Sequence, residues 1–224
     1  MITNEGWMPD VERAVSGAYS IGNTPTAIVN HVMQGYQSTM VTWANERPLK
    51  TPVSAHFTIG RNGNIIQHVS IKNSAWHAGK LDSVTPPWRL YRPSTNVNGY
   101  TIGIEHEGFS KLNTYGYDYI YDVLHPWPEA MVLASVKVHL WVCQETGIVP
   151  SIDTIIRHAD IAPLSRVDDP GSAWPRDRIM AALVPAKLGM LDAVYAVYGI
   201  LGRRVVNLPP EGEFNRAILY WPKA

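Results

Sequence analysis

Short β-branched apolar runs mark the first half of the chain, and each run is bounded by turn residues. Thr26–Val32 follows the turn-forming residues Gly22–Pro25, and its length and composition predict a buried strand that ends near His31. Gln37–Glu46 contains neither glycine nor proline, which favours a short helix. Arg47-Pro48 closes that helix, because proline disfavours helical geometry in the residue before it.

Four further runs have the pattern of strands. Val53–Ile59 and Asn64–Val69 are separated by Gly60–Gly63, which predicts a β-hairpin. Tyr100–His106 and Asp153–Arg157 are the other two. The second of these ends just before His158, so two histidines are expected at strand ends.

Helical periodicity appears in the second half. Glu129–Glu145 carries apolar residues at spacings of three and four, which predict one apolar face: Leu133, Val136, Leu140 and Cys143. Gly147 ends this helix, and Trp174–Lys187 contains another that begins near Pro175. Trp76–Asn98 is rich in proline, serine and tryptophan without periodicity, which predicts a long surface loop.

The alternation of strands and helices predicts an α/β or α+β fold with one main domain at 1–187. Residues 188–224 hold a second apolar stretch and a tail rich in proline and glycine. This extension is expected to pack on the domain, with a dimer contact or part of a binding element as alternatives. The oligomeric state is not predicted.

Composition removes several classes of function. The 224 residues carry 19 basic and 19 acidic side chains without a basic cluster, so a nucleic-acid partner is not expected. Cys143 is the lone cysteine, which excludes an internal disulfide and a cysteine zinc finger. Neither a signal-peptide pattern nor a long apolar segment is present, so we expect synthesis in the cytoplasm and no stable membrane association.

Candidate chemistry lies at the predicted strand ends. His31, His158 and the carboxylates of Asp168-Asp169 form a set that suits Zn²⁺, whose catalytic sites use imidazole and carboxylate and keep one position open. Glu105 could take and return a proton beside such an ion. Taken singly, a histidine at a strand end is more often structural, and Asp-Pro-Gly is above all a turn signal.

Five blocks in order resemble a known family, the type 2 N-acetylmuramoyl-L-alanine amidases, which include phage lysins, anhydro-muropeptide amidases and peptidoglycan recognition proteins. The blocks are the His31 strand, Val53–Arg61 with Asn62-Gly63, Ala75–Gly79, Ile102–Glu105, and Arg157–Pro163 leading to Asp169–Gly171. The resemblance covers Thr26 to about Leu183 and implies a central mixed sheet flanked by helices. The resemblance also implies that residues 1–187 form a zinc amidase catalytic domain.

The resemblance also implies roles for individual residues. His31, His158 and Asp169 are the expected zinc ligands, and Glu105 is the expected catalytic carboxylate. His56 is expected to support the site. The residues that would line the substrate groove are Trp76, His77 and Ala78, although Trp76 could equally be a core anchor.

One position departs from the family pattern. A lysine commonly stands two residues before the aspartate of Asp-Pro-Gly, and here that residue is Val167. Asp169 lies eleven residues after His158, one more than is usual in the family. The extra residue could bring Arg166 into the place of the lysine as a catalytic cation, or Asp168 could be the ligand instead of Asp169.

The resemblance implies hydrolysis of the amide between N-acetylmuramic acid and L-alanine, with peptidoglycan or a muropeptide as substrate. A phage-type lysin acting on the cell wall is narrowly favoured, because the extension at 188–224 is not needed for the site. A cytosolic enzyme that recycles soluble anhydro-muropeptides and a non-catalytic peptidoglycan-binding module remain alternatives. A structural zinc site would need a fourth protein ligand, and none is evident.

Overall fold

The computed structural model describes residues 5–46, 53–79, 82, 85–110 and 126–187, except the side chains of 42–46 and 184–187. The chain divides into two units, Met1–Leu183 and Val184–Ala224. The described residues of the first unit form a mixed α/β domain. The prediction that 188–224 packs on this domain lies outside the described residues.

The described residues form eight strands and three helices. The strands are β1 (Glu12–Arg13), β2 (Tyr19–Ser20), β3 (Ala27–Val32), β4 (Phe57–Ile59), β5 (Ile65–Gln67), β6 (Ser74–Ala75), β7 (Thr101–His106) and β8 (Ile155–Arg157). The helices are α1 (Gln37–Glu46), α2 (Glu129–Thr146) and α3 (Arg176–Lys187). Single 3₁₀ turns lie at Val97–Tyr100 and His158–Asp160.

The central sheet has six strands in the order β1-β5-β4-β7-β3-β8. Strand β7 lies between β4 and β3 and is parallel to both, and β8 is parallel to β3. Strands β4 and β5 form the predicted antiparallel hairpin, while β2 and β6 form a separate two-stranded sheet. The prediction of a central mixed sheet flanked by helices is confirmed.

The two faces of the sheet carry different partners. Ile28 and Val32 of β3 belong to the larger apolar core together with residues of α2 and α3. Ala27 and Val29, which alternate with them, pack on the opposite face with Trp88. His31 continues this second series, because successive side chains of a strand point to opposite faces. The candidate site therefore lies on the face away from α2.

Helix α2 has the predicted bounds to within a residue, and its predicted apolar face is right in part, because Cys143 is buried and Val136 and Leu140 pack partly buried against the core. Leu133 is 55% exposed, and the buried positions are Met131, Val132, Ala134, Ser135, Val138, His139, Val142 and Cys143. Two polar residues, Ser135 and His139, lie within this buried set, so the buried face of the helix does not appear in the sequence as a series of apolar positions. They are tolerated because Ser135 Oγ is 2.9 Å from His106 Nε2 and His139 Nδ1 is 2.8 Å from the Ser135 carbonyl oxygen.

Other boundaries shift by a few residues. The predicted strand at Val53–Ile59 is regular only from Phe57, although the backbone N–H of His56 already bonds the Gly103 carbonyl at 3.0 Å. Gly147 ends α2 in the left-handed conformation at φ 73°, and its N–H donates to the Cys143 carbonyl. Nothing in the sequence predicted β1, β2 and β6, which have two residues each. Within the described ranges, no helix has the length and apolarity to span a membrane.

Candidate metal centre

Three adjacent parallel strands bring the predicted site residues together. His31 lies on β3 opposite Glu105 of β7, and His158 follows directly after β8. Because β7, β3 and β8 run in the same direction, their carboxyl ends meet at one edge of the sheet. Asp169 reaches this edge from the loop that follows His158.

Nitrogen and oxygen atoms from His31, His158 and Asp169 converge on one point. The two Nδ1 atoms of the histidines are 2.9 Å apart, and Asp169 Oδ2 lies 2.9 Å from His158 Nδ1 and 3.7 Å from His31 Nδ1. Among the described residues, this is the group of three or more such side chains whose ligand atoms lie within 4.8 Å of one another. Both imidazoles are buried.

The short distance between the two imidazole nitrogens has a chemical consequence. His158 Nε2 lies 3.1 Å from the Ala78 carbonyl oxygen, which can only accept, so Nε2 carries the proton and Nδ1 carries a lone pair. Burial, followed by the nearby His158, lowers the pKa of His31 to about 4, so its ring is neutral at pH 7. Two imidazole nitrogens and a carboxylate oxygen that face one another at these distances form a donor set that could hold a metal ion.

Asp169 is the carboxylate of this cluster. Its Oδ1 accepts a hydrogen bond of 2.8 Å from the backbone N–H of Val32, which turns Oδ2 toward the histidines. Burial alone would raise its pKa, but the hydrogen bonds and electrostatic interactions with His158 and His31 outweigh that effect and lower the pKa. Asp168 is exposed and does not join the cluster.

Glu105 presents a buried carboxyl beside the cluster. Its Oε2 has no hydrogen-bond partner among the described residues. Burial raises the pKa of Glu105 well above its ordinary value, and the negative charge of Asp169 raises it further, whereas Arg166 opposes the shift. A carboxyl with a raised pKa keeps its proton to higher pH than an ordinary glutamate, which is typical of groups that exchange protons in catalysis.

Arg166 is an exposed cation close to the site. Its charge lowers the pKa of both His31 and Glu105. It stands at the start of a turn in which the Asp169 N–H donates to its carbonyl at 3.0 Å. Val167, at the family's lysine position, is 55% exposed.

The three predicted groove residues have different environments. Trp76 is partly exposed, and its indole N–H donates to Ser20 Oγ at 3.0 Å. His77 and Ala78 are buried, and their backbone N–H groups both donate to Asn98 Oδ1. Of the three, only Trp76 thus has a side chain placed to meet a substrate, and its role in the groove stays a prediction.

His77 was placed in the groove by the sequence, but its imidazole lies inside the domain. Its Nδ1 is 3.0 Å from His31 Nε2, and its Nε2 is 3.1 Å from Thr101 Oγ1. Burial and the neighbouring histidines lower its pKa well below the ordinary value. Sequence reasoning missed Thr101, and the signal available was the glycine two residues later in the same strand.

The predicted supporting role of His56 agrees with its contacts. Its Nδ1 accepts from the Gly103 N–H at 3.0 Å, and Nε2 lies 2.9 Å from the Asn73 carbonyl oxygen. His106 secures the other side of the site, because its Nδ1 is 2.9 Å from the carbonyl oxygen of His31. His68 and His139 are both buried as well.

The architecture and these residues match a known family. Residues 21–172 match the family model described as N-acetylmuramoyl-L-alanine amidase. The chain belongs to this family. The match includes all eight residues predicted for metal binding, catalysis and substrate contact: His31, Trp76, His77, Ala78, Glu105, His158, Arg166 and Asp169.

Individual relatives carry related names. The chain is 35% identical over 134 residues to 1,6-anhydro-N-acetylmuramyl-L-alanine amidase AmpD of Salmonella typhimurium strain SL1344, a match covering 58% of each protein. It is 29% identical over 204 residues to AmpD of Escherichia coli K12, covering 81% of this chain and 98% of that protein. N-acetylmuramoyl-L-alanine amidase A of Achromobacter lyticus is 31% identical over 144 residues, covering 63% of each.

Solved structures support the fold. A selenomethionine derivative of AmpD aligns with a TM-score of 0.62 at 24% identity, covering 82% of this chain and 99% of that one. A complex of the Escherichia coli amidase AmiD with anhydro-N-acetylmuramic acid-L-Ala-D-gamma-Glu-L-Lys aligns with a TM-score of 0.52 at 23% identity, covering 79% and 60%. These similarities establish the amidase-like fold and leave the activity to be tested.

Proposed function

We propose that this protein hydrolyses the amide bond between N-acetylmuramic acid and L-alanine, using a bound zinc ion. The observation that carries the proposal is the convergence of two imidazole nitrogens and one carboxylate oxygen beside a buried carboxyl group. Membership of the amidase family supplies the bond that is cut. The names of the relatives point to the same linkage.

The donor set fits zinc. His31, His158 and Asp169 offer two nitrogens and one oxygen, which Zn²⁺ accepts, and the cluster stops at three protein ligands among the described residues. Three ligands are typical of catalytic zinc sites, whereas structural sites use four. Bound there, zinc would act as a Lewis acid toward the scissile carbonyl and lower the pKa of water.

Glu105 is the proposed general base and acid. Its carboxyl is buried beside the ligands, and Oε2 has no partner among the described residues, so it is available to take a proton from water. The proton would then pass to the leaving amine of L-alanine. A raised pKa suits the second step, because it favours the protonated carboxyl that returns the proton.

Arg166 is proposed to replace the family's lysine as the cation near the scissile carbonyl. Its charge acts on both His31 and Glu105, which supports a position facing the site. Arginine keeps its proton at all physiological pH values, so it could stabilise the developing oxyanion only by charge and hydrogen bonding.

Two substrates of different size are compatible with this site. The AmpD relatives are named for 1,6-anhydro-muropeptides, which favours a soluble muropeptide as substrate. Lysis of intact cell wall by a phage-type enzyme is the second candidate, favoured by the additional residues 188–224. A non-catalytic binding module is disfavoured, because all three predicted ligands are present and converge.

Turnover of two purified substrates tests the proposal. The protein, loaded with one equivalent of zinc, is incubated with soluble anhydro-muropeptide and with insoluble sacculi, and release of stem peptide is measured. We expect release from one or both substrates, loss of release with chelator, and recovery on adding zinc. Binding of either substrate without release of peptide would overturn the amidase activity.

A further inference from the structure

A line of buried hydrogen bonds runs from His31 away from the metal centre into the sheet. His31 Nε2 lies 3.0 Å from His77 Nδ1, and His77 Nε2 lies 3.1 Å from Thr101 Oγ1. The Thr101 hydroxyl in turn donates to the Val97 carbonyl oxygen at 2.8 Å. His31, His77 and Thr101 are 1%, 8% and 0% exposed, so solvent does not compete for these bonds.

The carbonyl at the end of this line fixes the direction of every hydrogen bond in it. Val97 C=O can only accept, so the single hydroxyl proton of Thr101 points to it. Thr101 Oγ1 then accepts from His77 Nε2–H, which leaves a lone pair on His77 Nδ1. That lone pair accepts from His31 Nε2–H, so the lone pair of His31 lies on Nδ1, the atom that faces His158.

A glycine in the central strand makes room for this arrangement. Thr101, Gly103 and Glu105 alternate along β7, so all three positions face the site. A Cβ atom on Gly103 would lie 2.3 Å from His77 Cγ, so the imidazole occupies the space where a side chain would otherwise stand. His56 closes this space, with its ring centroid 5.8 Å from that of His77.

Ala78, the residue after His77, orients the imidazole of His158 through its backbone carbonyl group. The Ala78 carbonyl oxygen lies 3.1 Å from His158 Nε2 and thereby holds the proton of that ring away from the metal centre. Asn98 Oδ1 accepts from the backbone N–H groups of both His77 and Ala78, at 3.2 and 2.9 Å. One short segment therefore contacts the outer nitrogen of each imidazole ligand.

We propose that His77, oriented by Thr101, is a positioning residue that holds His31 in the tautomer whose Nδ1 lone pair faces the metal centre. The inference rests on the proposed zinc site for the identity of the ion, but the tautomer itself does not depend on it. Partners of this kind outside the coordination sphere contribute about 10- to 100-fold to metal affinity in known sites.

Three substitutions distinguish the effect of the hydrogen bonds on zinc affinity from the effect of side-chain shape. His77→Phe keeps a ring but cannot accept from His31, and we expect zinc affinity to fall by about 10- to 100-fold. His77→Asn can place Oδ1 where Nδ1 stood and should recover part of this loss. Thr101→Val is nearly isosteric and removes only the hydroxyl, so we expect a fall of about tenfold.

Thr58→Val is the matched control. Thr58 is also fully buried, and its Oγ1 lies 2.9 Å from Nε2 of another histidine, His68, which is not part of the cluster. The substitution removes the same kind of Thr–His bond without touching a ligand. Since Thr58 pairs with Glu105 across the sheet, the comparison uses zinc affinity, measured by competition with a chelator, and not activity.

Histidine ¹⁵N chemical shifts provide a readout that a purely structural role would not change. In the zinc-free and zinc-loaded parent, His31 should carry its proton on Nε2, and in His77→Phe the zinc-free protein should show a mixture of tautomers. The proposal is overturned if His31 keeps a single Nε2–H tautomer in folded His77→Phe, or if zinc affinities of all variants stay within about threefold of Thr58→Val. A parent that binds no zinc would contradict the proposed function instead, and the shifts would still decide the tautomer.

Discussion

Replacing Gly103 by alanine tests how tightly His77 is held against the sheet. The new Cβ would lie 2.3 Å from His77 Cγ, 2.6 Å from Nδ1 and 2.7 Å from Cδ2. Carbon atoms in protein interiors pack at about 3.5 to 4.0 Å, so the imidazole must retreat by about 1 Å or more. The Cβ itself cannot move away, because β7 is bonded to strands on both sides.

The size of the effect follows from the bonds that this retreat breaks. The two bonds of His77 measure 3.0 and 3.1 Å, so a shift of about 1 Å takes both past the usual limit for hydrogen bonds. A buried polar group left without its partner costs about 1 to 3 kcal/mol, and overpacking costs about 1 to 3 kcal/mol. We therefore expect Gly103→Ala to lower the free energy of unfolding by about 2 to 6 kcal/mol.

Urea unfolding of the zinc-free protein measures this loss, with Gly99→Ala as the control. At Gly99 an added Cβ would meet nothing nearer than Ser74 Oγ at 4.0 Å, so the same chemical change meets no obstacle. The reasoning is refuted if the two variants unfold within about 1 kcal/mol of each other. Zinc affinity of folded Gly103→Ala should fall as well, since His77 can no longer reach His31.

Further predictions concern the site and the titration of the buried histidines. Glu105→Gln should keep zinc but lose about 10² to 10⁴ in rate, and activity within about threefold of the parent would exclude its role in proton transfer. Metal analysis should show that Asp169→Ala loses zinc and Asp168→Ala retains it; the reverse result would mean that the loop register is wrong. Arg166→Ala should lower kcat by about 10² to 10³ with zinc content unchanged, and Arg166→Lys should restore part of it, whereas equal kcat values would remove Arg166 from catalysis. Burial lowers the pKa of His139 to about 4 in the folded protein, so the unfolded chain takes up a proton first as the pH falls below about 6.5. Between about pH 6.5 and pH 4 the free energy of unfolding should therefore fall more steeply in the parent than in His139→Gln, by about 1.4 kcal/mol for each pH unit. Urea unfolding at several pH values measures this, and equal slopes for the two proteins would contradict it.

The sequence predicted the strands that carry the ligands because those strands are buried on both faces. All six residues of β3 are buried, and such a strand reads as a continuous apolar run in which His31 stands out. Strands β1, β2 and β6 escaped prediction because each is two residues long and owes its pairing to distant partners. A pair of residues carries no periodicity.

The apolar face of α2 was predicted only in part, for a different reason. Periodicity treats every polar residue as a sign of exposure, but Ser135 and His139 are buried and hydrogen-bonded within the domain. The same limitation hid the place of His77, whose partners Thr101 and His31 are far away in sequence. Glycine in the middle of a strand often marks a close approach of another group, so Gly103 was the available clue.

The position of Asp169, the expected third ligand, also depended on tertiary structure. Counting from His158 and counting back from Asp-Pro-Gly gave different answers, and the sequence left Asp168 and Asp169 as alternatives. The chain resolves this with a turn in which Asp169 N–H bonds Arg166 C=O at 3.0 Å, while Ala159 N–H bonds Asp169 C=O at 3.1 Å. The backbone on both sides of Asp169 is thereby fixed, and its side chain is directed inward.

The pairing of β3 with both β7 and β8 would also determine when an ion could bind at the proposed metal centre during folding. His31 and His158 are 127 residues apart and become neighbours only once those parallel strands are aligned. Contacts of such long range form late, because the intervening chain must first be ordered. Zinc should therefore leave the folding rate nearly unchanged and slow unfolding instead, by about 10³-fold at a free ion concentration about 1,000 times the Kd. Zinc binding would then slow the unfolding of protein that has already folded. The zinc-free protein would unfold more often and would therefore be degraded first by proteases.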